Sequence, residues 1–227
     1  MRRVILGFIV LATTPATTIA AEASRLTWAA EVGAVSDYRY RGLSLSDGGP
    51  AAQGGVTASL ANGAYASVWA STIDEYGAGA DGKGATVEVD YALGWAFEAA
   101  GVSIDAAVTR YTYPGAENVA YFELPLSVSR GWSDWTATVG GSYAPSQKAL
   151  DHDDNRYVFA KLAWARPSAP VDLAVQVGRE KGAYAPEGKW DWSASVSHRF
   201  SNVELGLALI DSDADAGALV ASVTTNF

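Results

Sequence analysis

The chain has no cysteine, one methionine and two histidines among its 227 residues. Without cysteine there is no disulfide framework, so an exported protein of this size must be stabilised by burial or by lipid. His152 and His198 offer little for catalysis: a serine-hydrolase site needs Ser, His and an orienting group within reach, and no G-x-S-x-G elbow is present. No enzyme is expected. Basic residues are scarce too, 16 Lys and Arg against 25 Asp and Glu, giving a net charge of −9. That balance argues against nucleic acid as a partner. Long apolar runs are also missing, and nothing after the first residues approaches the ~20 needed for a membrane helix. A chain of this kind enters a membrane only as a closed barrel, which satisfies every backbone group internally.

The amino terminus sets the compartment. Arg2 and Arg3 precede an apolar run over 4–12, and Ala20, Ala21 and Ala23 offer small-residue cleavage sites. This is the pattern of a secretory signal peptide, expected over 1–23 with cleavage between 20 and 23. Thr13, Thr14, Pro15, Thr17 and Thr18 break the run too early for a membrane anchor. Residues 24–227 read as one domain, with no linker or internal repeat.

What the sequence does have is period-two alternation. In 86–97, Val87, Val89, Tyr91, Leu93, Trp95 and Phe97 share one face, and Thr86, Glu88, Asp90, Ala92, Gly94 and Ala96 the other. One apolar and one polar or small face mark a half-buried strand. Similar runs fall at 26–37, 52–60, 64–72, 102–113, 119–128, 135–143, 156–164, 171–178, 190–200, 203–210 and 219–227, making twelve. The expected fold is all-β, a transmembrane antiparallel up-and-down barrel in the bacterial outer membrane.

Connection lengths support it, because such barrels alternate short periplasmic turns with longer outer loops. The short connections are 61–63, 98–101, 129–134, 165–170 and 201–202. The long ones are 38–51, 73–85, 114–118, 144–155, 179–189 and 211–218. Trp28, Trp95, Phe97, Trp132, Trp135, Trp164, Phe200 and Phe227 then fall at the periplasmic rim, and Tyr113, Tyr143, Tyr157, Trp190 and Trp192 at the outer rim. Phe227, on the lipid-facing parity of the last strand, is the expected assembly signal for the barrel assembly machinery. Outer-membrane lipid and lipopolysaccharide are the other expected partners; oligomeric state is not readable. A soluble β-sandwich or lipocalin-like barrel also alternates, but does not account for the loop order and the two aromatic rims.

The opposite face lines the lumen and carries Glu31, Asp37, Glu88, Asp90, Asp105, Glu123, Asp172, Asp191 and Glu204, with Lys161 and Arg199 as the main cations. Unpaired charges in a narrow lumen need water or a counter-charge. One reading is a wet passage that favours small cations or polar solutes. The other is a lumen filled by mutually paired side chains. Barrels of ~8 strands are filled and those of ~16–18 conduct, so twelve leaves both open. The acidic loops 151–154 and 211–215 lack a calcium-loop pattern and read as solvated surface, so no metal or other cofactor is expected.

Several motifs in order also resemble a known family. They are Ser36-Asp37-Tyr38-Arg39-Tyr40-Arg41-Gly42, Pro50-Ala51-Ala52-Gln53-Gly54-Gly55, Gly63-Ala64-Tyr65-Ala66-Ser67-Val68-Trp69-Ala70-Ser71, Glu88-Val89-Asp90, Tyr111-Thr112-Tyr113-Pro114-Gly115, Glu123, and Trp190-Asp191-Trp192. Spread over 35–227, they resemble the TorF-type porins, the Gcw_chp family of bacterial proteins of unknown function. Tyr40 stands where the pattern expects Phe, and Thr72 where it expects Asn. The resemblance implies a porin-like outer-membrane barrel and no particular substrate. Passive diffusion of small polar or cationic solutes is the expected function, with a non-conducting structural or adhesive barrel as the alternative. Candidate pore-lining residues are Asp37, Arg39, Arg41, Glu88, Asp90, Asp105 and Glu123. Arg39 and Arg41 suit either a constriction of opposed charges or binding of lipopolysaccharide phosphate and local pairing.

Overall fold

A computed structural model describes residues 26–80 and 82–227. The signal-peptide reading of 1–23 lies outside the described residues. Twelve strands close into one antiparallel barrel. They are β1 (Leu26–Val35), β4 (Ala51–Leu60), β5 (Ala64–Tyr76), β6 (Ala85–Ala99), β7 (Val102–Thr112), β8 (Tyr121–Trp132), β9 (Trp135–Ala144), β10 (Asn155–Trp164), β11 (Asp172–Gly182), β12 (Ala185–Phe200), β13 (Val203–Ser212) and β14 (Ala218–Asn226). Each of the twelve expected strands is present. Two short strands, β2 (Arg39–Tyr40) and β3 (Leu43–Ser44), form a separate hairpin inside the first long loop.

Each strand pairs with its neighbour in sequence, apart from the closure, where β1 pairs with both β4 and β14. Phe227 extends that seam by exchanging two backbone hydrogen bonds with Ala30, at 2.8 and 3.2 Å. Closure removes both sheet edges, which is what lets strands lie in hydrocarbon.

Period-two alternation puts one side of each strand against lipid. Leu93, Val139, Val158, Leu207, Leu209 and Leu219 are exposed outward, as are Trp28, Trp95, Trp132 and Phe227 at the periplasmic rim and Tyr143, Trp190 and Trp192 at the outer rim. Two residues assigned to the outer aromatic rim do not belong to it. Tyr113 and Tyr157 are buried within the barrel, because Tyr113, one residue past β7, shares the parity of the inward Tyr111, and Tyr157 that of the inward Lys161 on β10.

The alternation of connection lengths fails at one place. The expected long loop 179–189 is a hairpin in which β11 and β12 run on to Gly182 and Ala185, leaving only two residues between them. The preceding connection, 165–171, is the longer of the two. Continued alternation over Arg179 to Lys181 and from Pro186 onward keeps the strands paired beyond the lipid-facing band, with Glu180 opposite Lys189.

Candidate pore constriction

The first long loop folds into the barrel instead of standing above it. Its hairpin turns at Arg41 and Gly42, both with positive φ, 50° and 84°. A two-residue hairpin turn of type I′ requires this at both positions, and glycine meets it at no steric cost. Gly42 also packs tightly: a Cβ there would lie 2.7 Å from the Ser212 Cβ and 3.0 Å from the Asp191 Cβ. The Tyr-Arg-Tyr-Arg-Gly run is thus the tip of an inserted element.

That tip carries an arginine across the lumen. Arg41 donates to Glu123 Oε2 on β8 at 2.6 Å and to Glu180 Oε1 on β11 at 2.7 Å. Its guanidinium lies over the rings of Tyr40, at 4.6 Å, and Tyr157, at 4.4 Å. Counted around the barrel, β8 lies almost opposite β1, where the loop is rooted. Lys189 completes the arrangement, with Nζ 3.0 Å from Glu180 Oε2 and donating to the Arg41 carbonyl at 2.5 Å. Two carboxylates and two cations meet here, all nearly fully buried.

Beside this network the loop is tied down by tyrosines and serines. Tyr38 and Tyr113 each donate to Glu88, at 2.9 and 2.8 Å, and the Tyr40 and Tyr111 hydroxyls lie 3.0 Å apart. Tyr111 stacks on Tyr121 at 4.7 Å, and Tyr121 meets Tyr184. Ser44 donates to Asp37 at 2.6 Å, and Asp37 also receives Arg39 at 2.6 Å. Arg39 reaches the Ala216 carbonyl at 2.6 Å, while the Ser44 amide donates to Asp215 at 3.0 Å. The acidic stretch 211–215, expected as solvated surface, therefore ends in a clamp on the hairpin, formed by Asp215 and Ala216. The Ser44 amide above all, with that of Ala216 and the Arg39 guanidinium, holds the Asp215 carboxyl below the usual carboxylate range. An outer cavity of about 330 Å³ sits against the network, walled by Tyr40, Tyr76, Tyr113, Tyr184, Glu180 and Lys189.

Towards the periplasm the lumen wall changes character. Inward positions there are mostly Ser, Thr, Ala and Gly, broken by Glu31, Asp105, Lys161 and Asp172. Tyr65 donates to Asp105 at 2.9 Å. Arg199 pairs with Glu204 at the periplasmic end. Five carboxylates keep one buried oxygen with no hydrogen-bond partner: Glu31, Asp90, Asp105, Glu123 and Asp191.

The structure brings Asp37, Arg39, Arg41, Glu88 and Glu123 into the plugged outer half, with Asp90 two residues further along β6 from Glu88 and Asp105 nearer the periplasm. Arg39 and Arg41 face inward with side chains 6% exposed, so the lipopolysaccharide reading of this pair does not hold. Glu180 and Lys189, which the sequence pattern puts in the loop 179–189, are paired strand residues in the structure. Their parity was available: Asp172, Gln176 and Glu180 share the inward side of β11, as do Lys189 and Asp191 on β12. Among the described residues, neither histidine has a serine hydroxyl bonded to its ring. His198 Nδ1 faces the Pro170 carbonyl and its ring lies against Phe200, while Ser146 donates to the backbone carbonyl of His152. No group of three or more metal-ligating side chains forms among the described residues.

Residues 19–226 match the family described as "Bacterial protein of unknown function (Gcw_chp)". The chain belongs to this family. No curated protein matches it by sequence. Among solved structures it is similar to the KdgM porin, with TM-score 0.62 and 7% identity over 88% of this chain and 98% of the porin. The NanC porin aligns with TM-score 0.53 and 9% identity over 88% and 98%. An outer membrane channel from Pseudomonas putida F1 aligns with TM-score 0.50 and 11% identity over 93% and 100%. At these identities the likeness is one of fold: a Gcw_chp chain with a porin-like twelve-stranded barrel.

Proposed function

We propose that this protein is an outer-membrane porin of narrow bore. Small polar or cationic solutes diffuse along its acidic wall and past a constriction formed by the inserted hairpin. The observation that carries the reading is the run of inward carboxylates from the plug towards the periplasm, Glu31, Asp90 and Asp105, each with one oxygen that no protein group hydrogen-bonds. None of the three has an ion-pair partner among the described residues, and a carboxylate without a counter-charge is costly away from water. In a conducting lumen, water and mobile cations supply the missing contact. Asp37, Arg39, Arg41, Glu88, Asp90, Asp105 and Glu123 are the residues that meet the passing solute.

The inserted hairpin favours a second reading, a closed barrel acting through its outer surface, and one experiment separates the two. In planar bilayers the folded protein should show steady conductance with cation preference. E88Q/D90N should shift the reversal potential towards zero selectivity, and replacing 39–44 with Gly and Ser should raise conductance several-fold. A correctly folded protein that is silent with and without the hairpin overturns the pore.

Export with removal of 1–23 and delivery to the barrel assembly machinery belong to the same proposal. Phe227 is 73% exposed at the periplasmic rim and hydrogen-bonded into the seam, where assembly factors can read an aromatic terminus. F227A should slow insertion into vesicles carrying that machinery and leave spontaneous folding into detergent unchanged. Equal rates in both settings count against the role.

A further inference from the structure

Three consecutive outer hairpins carry the same device on their lipid-facing side. Arg110 on β7 lies over the Phe122 ring of β8, 4.6 Å from its centroid. Arg156 on β10 lies over Tyr143 of β9 at 5.8 Å, and Arg179 on β11 over Trp190 of β12 at 4.8 Å. Each arginine stands directly opposite its ring in the ladder. Lys181 adds to the group, directly across from Arg156. Arg156 also holds Asp154 at 2.5 Å. Arg110, Arg179 and Lys181 have no carboxylate partner among the described residues.

An outward-facing guanidinium is costly within hydrocarbon, so these groups belong at the headgroup level, where Tyr143 and Trp190 also sit. The stacked ring fixes the plane of each guanidinium and leaves its N–H edge free. That edge matches a phosphate, which accepts paired hydrogen bonds. The distribution points the same way. Lipid-facing positions of β13, β14, β1, β4, β5 and β6 carry no Arg or Lys at all. In a chain of net charge −9, the lipid-facing basic groups of the outer rim stand on β7, β10 and β11, spread over about 20 Å of sheet at ~4.8 Å per strand.

We propose that the outer rim of β7 to β12 is a docking surface for phosphorylated lipid headgroups of the outer leaflet, held by Arg110, Arg179 and Lys181 with Arg156 beside them. The proposal rests on the outer-membrane placement above and is independent of whether the lumen conducts. It moves the phosphate-binding role from Arg39 and Arg41, which are buried in the constriction, to arginines whose side chains face lipid.

The test is native mass spectrometry of the full folded barrel in detergent, titrated with bisphosphorylated lipid A. Wild type should bind it at least tenfold more tightly than phosphatidylcholine, and R110Q/R179Q/K181Q should lose that preference. Because the change lies outside the barrel, β-sheet content and bilayer current should stay as in wild type. Should the triple variant misfold, single R179Q and K181Q variants should each weaken lipid A binding several-fold. Competition by millimolar inorganic phosphate overturns the headgroup assignment in favour of a free-anion site. Undiminished binding by the folded variants overturns the surface, and arginine-dependent dimers in place of lipid adducts make it a contact between copies. Membrane fractionation of the wild type reports the outer-membrane placement separately, so failure of one is not failure of the other.

Discussion

At Arg41 the chain adopts a backbone conformation that arginine disfavours. A left-handed residue with a β-carbon costs roughly 1–2 kcal/mol, yet Arg41 is held at φ 50° by two carboxylates, two aromatic faces and a lysine on its carbonyl. The cost is offset because breaking a buried, hydrogen-bonded ion pair costs about 3–5 kcal/mol. Gly42 bears the other half of the turn and has no room for a side chain. Gly42→Ala should displace the hairpin tip, and trypsin reads this directly, since Arg39 and Arg41 are buried and protected in the wild type. The variant should be cut at these arginines under conditions that leave the wild type intact. Equal resistance would mean that the turn tolerates a methyl group and that the insertion is not set by this geometry. The motif was visible in the sequence, and its charges suited either a constriction or lipid phosphate. Only the positive φ of two successive residues, which sequence does not display, turns the side chains inward.

Among the elements, alternation made all twelve strands legible because each has one face in lipid and one in the lumen. Errors came where that contrast weakens. Beyond the lipid-facing band both faces of β11 and β12 are polar, so Glu180 and Lys189 read as loop although they are paired strand residues. The two-residue strands β2 and β3 carry no periodicity and were invisible. Their latch is the Asp215 clamp, whose strength depends on pH. The Asp215 carboxyl is depressed in the folded protein, so its contribution is fully present above the ordinary Asp value of about 3.9. It fades as pH falls through the lower folded value. Hydrogen exchange at the Ser44 amide, corrected for intrinsic rates, should therefore show less protection near pH 3 than at pH 7. Asp215→Asn should lower protection at pH 7 and flatten the dependence. A wild-type profile that is flat over this range removes the clamp from the account.

At the scale of the whole molecule, the outer half of the lumen holds a buried cluster that includes Val35, Tyr38, Ile73, Tyr111, Tyr113, Tyr121, Leu150 and Val220, while the periplasmic half is lined by small residues and carboxylates. A porin-like barrel thus holds its packed plug in the outer half alone, and the lipid-facing wall must be uniform along both halves to lie in a membrane. Leu207 and Ser195 test that division of faces. Leu207, on β13, is 47% exposed on the lipid side, and Ser195, on the neighbouring β12, has the inward parity of Asp191 and Ser193. Leu207→Arg places a guanidinium near mid-depth in hydrocarbon and should lower stability by about 2–4 kcal/mol. Ser195→Arg places it in an acidic lumen, where it gains counter-charges and water, and its cost should be well below that of Leu207→Arg. Urea unfolding from phospholipid vesicles measures both. Equal losses at the two positions would mean that the inner wall is as dry as the outer one, and a dry inner wall is incompatible with a solute path.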